Sequence, residues 1–122
     1  MESFEEFMAD FAARYKEERP GFSSVGIIDP AEYQKMQRSV ETIIRVFKEY
    51  PDVVFKLTPP ANPFDRCFRL VADANELIML SDAEFREISE TLPVGSVFSF
   101  LPTNDGAIRI RVIYENVLRV LQ

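Results

Sequence analysis

The chain has 122 residues, 47% of them hydrophobic, which suits one globular domain spanning 1–122 and argues against disorder. A formal net charge of −6 disfavours general attraction to nucleic acid or to an anionic membrane surface. With no His and one Cys, the chain lacks the residues for Ser-His-Asp or Cys-His catalysis, His-based metal sites, thiolate-held clusters and internal disulfides.

The acidic start, Met1-Glu-Ser-Phe-Glu-Glu6, has no basic and apolar leader, and the longest apolar run is Leu77-Ile-Met-Leu80. Together with the lone Cys this reads as a soluble, cytoplasmic protein. Phe4, Phe7, Met8, Phe11 and Tyr15 recur at helical spacing behind a Ser3/Glu6 capping box and predict an N-terminal amphipathic helix that stops at Pro20-Gly21. Phe22–Ile28 reads as a connector with a short strand at Val25–Ile28.

The next helix carries the strongest signals. Asp29 caps it, Pro30 suits its first position and Glu32 completes a capping box. Tyr33, Met36, Val40, Ile43, Ile44 and Phe47 form its apolar stripe, and Tyr50-Pro51 stops it after about twenty residues, a rod of ~30 Å. Val53–Thr58 predicts a strand, followed by a stiff Pro-rich loop to Asp65. Cys67–Ala72 and Leu77–Leu80 read as a hairpin around Asp73-Ala-Asn-Glu76. A Ser81/Glu84 capping box opens a short helix with Phe85, Ile88 and Leu92 inside.

Gly95–Tyr114 is the clearest hairpin. Asn104-Asp105-Gly106 fits a three-residue loop whose last position needs φ > 0, which Gly106 supplies. That loop pairs Thr103 with Ala107, so Phe100 faces Ile110, Phe98 faces Val112, Leu101 meets Arg109 and Ser99 meets Arg111. Phe98, Phe100, Ile108, Ile110, Val112 and Tyr114 then share one face, in agreement with the binary pattern. Val117–Leu121 fits strand or helix equally. The whole predicts an α+β fold: N-terminal helices on one face of a largely antiparallel sheet of about five strands, with a short helix between two hairpins.

No nucleotide-binding or EF-hand motif occurs, and the reading assigns no catalytic residue, cofactor or metal. Cys67, between Arg66 and Arg69, invites a reactive thiolate, but with no His as base an inert structural Cys outweighs it. Asp65, Asp73, Glu76 and Asp105 fall in loops or at their margins, where turn formation is reason enough for them, and no spacing marks a catalytic or Mg²⁺-binding pair. Thr58–Pro63 is more economically a rigid joint than a polyproline ligand, and Phe64 after it fits a partner's anchor or a plug for the core.

The non-random feature is a set of cations on strands. Lys56, Arg69, Arg109 and Arg111 project from the face opposite the core, opposed there only by Asp73, among Val54, Val71, Val97, Leu101 and Ile113. A basic and aliphatic face on an acidic chain suggests a non-enzymatic interaction or assembly module that binds a protein partner or a second copy of itself through the sheet face or a sheet edge. The alternatives are an anionic small-ligand binder using these arginines and, last, a carboxylate-based metal-dependent hydrolase. Against all three stands a plain solvated face whose arginines lay their stems on aliphatic neighbours.

Overall fold

A computed structural model describes Glu6 and residues 26–60 and 65–120. Apart from Glu6, the predicted N-terminal helix lies outside the described residues, as do residues 61–64 of the Pro-rich loop. In chain order the elements are β1 (Gly26–Ile28), α1 (Pro30–Val46), β2 (Lys56–Thr58), β3 (Phe68–Ala74), α2 (Asp82–Thr91), β4 (Val97–Pro102), β5 (Ile108–Tyr114) and β6 (Leu118–Val120). The fold is α+β. Four strands form an antiparallel sheet in the order β2-β3-β5-β4, and β1 pairs with β6 in a separate antiparallel ladder. The ambiguous tail is therefore a strand, because β1 gives it a partner.

α1 starts where its cap demands. The Asp29 carboxylate accepts the N–H groups of Ala31 at 3.0 Å and Glu32 at 3.2 Å, two donors that the first turn otherwise leaves orphaned. Glu32 does not close a capping box. The Asp29 N–H donates instead to the Val117 carbonyl at 2.8 Å, and Glu32 pairs with Lys35. The helix runs 17 residues, shorter than the sequence suggests, and Phe47 closes it by donating back to Ile43. Tyr33, Met36, Val40, Ile43 and Phe47 are buried, as their spacing predicts, but Ile44 is 47% exposed, and Ser39, Thr42 and Val46 share the inner face instead. The buried arc is turned toward Ser39, Thr42 and Val46, which leaves Ile44 at its opposite margin.

The β4–β5 hairpin has the predicted register. Phe100 pairs with Ile110, Phe98 with Val112, Leu101 with Arg109 and Ser99 with Arg111. Thr103 N–H donates to the Ala107 carbonyl at 2.9 Å, Gly106 N–H reaches back to the Thr103 carbonyl at 3.3 Å, and Gly106 has φ +83°.

The other predicted hairpin does not form. β3 is an inner strand, paired along all seven residues with β5 on one side and at Arg69–Val71 with β2 on the other, so β2 takes most of the positions that Leu77–Leu80 would need. That stretch stays extended beside the end of α1, where Tyr50 Oη accepts the Met79 N–H at 3.0 Å and donates to the Met79 carbonyl at 3.1 Å. The predicted Val53–Thr58 strand shrinks to β2, with Val53 buried in the core and Val54 exposed ahead of the ladder. α2 has its capping box, Glu84 N–H to Ser81 Oγ and Ser81 N–H to the Glu84 carboxylate. Ile88 is its buried residue, whereas Phe85, predicted inside, is 44% exposed.

The core lies between α1, α2 and one face of the sheet. Phe68, Leu70, Ala72 and Ala74 of β3 and Ile110, Val112 and Tyr114 of β5 meet Tyr33, Met36, Val40, Ile43 and Ile88. An Arg45–Glu87 ion pair joins the two helices at the rim.

Candidate functional site

Strand pairing places all four predicted site residues on the face away from α1. One cross-strand row reads Lys56, Val71, Arg111, Ser99; the next reads Thr58, Arg69, Ile113, Val97; a third reads Asp73, Arg109, Leu101. Val71, Leu101 and Ile113 are half-buried and Val97 is exposed, so the face is mixed basic and aliphatic.

The four cations are not equivalent. Arg69 is gripped by Asp65 through two hydrogen bonds, Nη1 to Oδ2 at 2.7 Å and Nη2 to Oδ1 at 3.2 Å, and Asp65 Oδ1 also accepts the Cys67 N–H at 3.0 Å. Asp73 is therefore not the only carboxylate opposing this set. Arg109 holds Asp73 across the strands, Nε to Oδ1 at 2.9 Å and Nη2 to Oδ2 at 3.3 Å. These hydrogen bonds hold the Asp73 carboxyl below its ordinary range and push both guanidinium groups up. Among the described residues no carboxylate pairs with Lys56 or Arg111. Arg111 Nε is buried without a hydrogen-bond partner among the described residues, between the Val71 and Ser99 positions. Cys67 is unpaired in the approach to β3, and burial pushes its thiol up, reinforced by the nearby Asp65, which is the opposite of activation.

A second surface escaped the strand-face reading. At the tip of the β4–β5 hairpin, α1 no longer covers the inner face, and Phe100 and Ile108 emerge beside Phe85 of α2 and the Leu77–Leu80 stretch. Leu77 is 80% and Met79 72% exposed. Together with Glu76 these residues line an open, mostly apolar groove of about 470 Å³. Phe85 and Phe100 meet edge to face with centroids 6.5 Å apart, and Phe98 stands 5.2 Å from Phe100. The sequence held one signal for it. An extended run of four consecutive apolar residues buries alternate side chains on one side only, so its other two must face outward unless the run is covered on both faces. Ile78 and Leu80 are the half-buried pair, Leu77 and Met79 the outward one.

Among the described residues no three His, Cys, Asp or Glu side chains gather as a metal site, and no helix is long and apolar enough to cross a membrane. Comparison with known proteins finds no matching family model, no matching curated protein and no matching solved structure.

Proposed function

We propose that this chain is a non-enzymatic protein-interaction module. The observation that carries the reading is the exposed apolar groove of Leu77, Met79, Phe85, Phe100 and Ile108, five large side chains in one patch on a protein with net charge −6. Large contiguous apolar surface is costly to leave in water, and on soluble chains it marks contact sites. The basic and aliphatic sheet face remains part of the proposal as a second contact surface, centred on Lys56 and Arg111, because Asp65 and Asp73 already occupy Arg69 and Arg109. The test is recovery of bound proteins by the wild type, by Met79→Asp and by Lys56→Glu with Arg111→Glu. Loss of the same partner in either variant, with circular dichroism unchanged, supports the module reading. Retention of every partner by both variants overturns it.

The buried, unpartnered Arg111 Nε favours a second reading, an anionic small-ligand site on the sheet face. Titration with inorganic phosphate and with citrate, followed by amide chemical shifts of β3 and β5, tests it. Shifts centred on Val71, Arg111 and Ser99 that vanish in Arg111→Gln support this reading, and flat titrations reject it.

A further inference from the structure

We infer that β4 is a self-association edge, on which a second copy of this chain adds its own β4 antiparallel about a two-fold axis at Ser99. The inference is independent of the groove reading. β4 ends the sheet order β2-β3-β5-β4, and among the described residues no strand pairs with its outer side. In an antiparallel ladder, pairs that exchange hydrogen bonds alternate with pairs that do not. The Thr103 N–H to Ala107 O bond sets the phase, so Leu101, Ser99 and Val97 point their backbone groups at β5. Phe98 and Phe100 therefore aim their N–H and C=O groups outward. Pro102 falls in the same outward set, so its missing donor costs the β4–β5 ladder nothing, as edge prolines require.

Edge strands are normally protected by charge, and β4, Val97-Phe-Ser-Phe-Leu-Pro102, carries none on either face. On a chain of net charge −6, an uncharged edge is where a like-charged copy meets no local repulsion. The strand is also self-complementary. With Ser99 opposite Ser99 of the second copy, Phe98 meets its Phe100 and Val97 meets its Leu101. Phe98 and Phe100 then exchange both of their outward bonds, and by symmetry the four outward N–H groups of the two copies all find carbonyls. Pro102 lands opposite Ser96, whose N–H is already committed to the Pro93 carbonyl at 3.1 Å, so no donor is left orphaned at that end. On the inner side the paired Phe98 and Phe100 rings join into one aromatic row, and on the outer side the exposed Val97 is covered by Leu101. The product is a continuous eight-stranded sheet with closed two-fold symmetry.

The test is light scattering across a concentration series, paired with amide hydrogen exchange and three variants. The wild type is expected to double its mass on concentration, with the Phe98 and Phe100 amides gaining protection as it does. Ser99→Glu places two carboxylates across the axis, while the neighbouring Arg111 accommodates the one within each copy, so it should be monomeric with unchanged circular dichroism. In a Cys67→Ser background, Ser99→Cys should form a disulfide-linked dimer on mild oxidation, because opposed positions in a non-hydrogen-bonded pair bring the two Cα atoms within bridging range, and Leu101→Cys should not. A wild type that stays monomeric, a dimer that survives Ser99→Glu with Phe98 and Phe100 amides unprotected, protection of those amides in the monomer, or cross-linking by Leu101→Cys in place of Ser99→Cys each overturns the inference. Met79→Asp should remain dimeric, which separates this edge from the groove.

Discussion

Ser39 Oγ and Tyr114 Oη lie 2.8 Å apart, sealed between α1 and the last residue of β5. Each hydroxyl satisfies the other where water cannot. The two deletions should differ. Ser39→Ala strands a phenol that has no second partner among the described residues and should cost ~1–3 kcal/mol. Tyr114→Phe leaves a serine that can turn to a carbonyl of its own helix and should cost less. Denaturant midpoints for the two variants check the order.

The same contact sets a limit at high pH. Burial pushes the Tyr114 phenol up to about 12, and the Ser39 hydrogen bond pulls back only part of that. An unfolded tyrosine ionises near pH 10. The folded state holds its proton more tightly, so the stabilisation is complete below about pH 10 and is lost as pH rises toward about 12. The loss should reach ~2–3 kcal/mol. Stability measured against pH should show this alkaline limb in the wild type, and Tyr114→Phe should lack the part that this phenol contributes.

The hairpin and the capped starts of α1 and α2 were legible because each has a local cause: Gly106 in its loop, Asp29 before Pro30, Ser81 before Glu84. The β3–β5 pairing was not, since it joins residues some forty positions apart and nothing local says which strand lies beside which. The same non-local pairing explains the false second hairpin, because with β5 on one side and β2 at Arg69–Val71 on the other, β3 has little left to offer Leu77–Leu80. The cation face was legible from strand alternation alone. The partners of Arg69 and Arg109 were only half so: Asp73 was visible as a neighbour, whereas Asp65 reaches Arg69 because the chain turns into β3 there. The groove was missed because it depends on where α1 stops covering the hairpin tip.

Gly95 and Gly106 both have positive φ, +89° and +83°, but different surroundings. An added Cβ at Gly106 meets nothing within 4 Å, so Gly106→Ala should cost only the left-handed backbone penalty of ~1–2 kcal/mol. At Gly95 the Cβ would stand 2.9 Å from Asn116 Nδ2, which donates to the Val94 carbonyl at 2.8 Å. Gly95→Ala must displace that bond as well and should cost ~1 kcal/mol more than Gly106→Ala. Thermal midpoints for the pair test this, and equal losses would show that Asn116 does not hold the turn.

Ile43 and Ile44 are neighbours on α1 and should respond very differently to the same truncation. Ile43 is fully buried among core side chains, and Ile44 is half in water. Ile43→Ala removes three buried carbons and leaves a cavity that helix and sheet cannot both close on, so it should cost ~2–5 kcal/mol. Ile44→Ala loses far less buried area and replaces a β-branched residue with the best helix former, so the two terms nearly cancel, within ~1 kcal/mol. Asp29→Ala provides the internal scale: the cap bonds to Ala31 and Glu32 are lost, at ~1 kcal/mol. Urea unfolding of the three variants should therefore rank Ile43→Ala well below Asp29→Ala, with Ile44→Ala nearest the wild type. If Ile44→Ala instead unfolds as readily as Ile43→Ala, α1 is rotated on the sheet relative to this structure, and Ile44 belongs to the packed stripe.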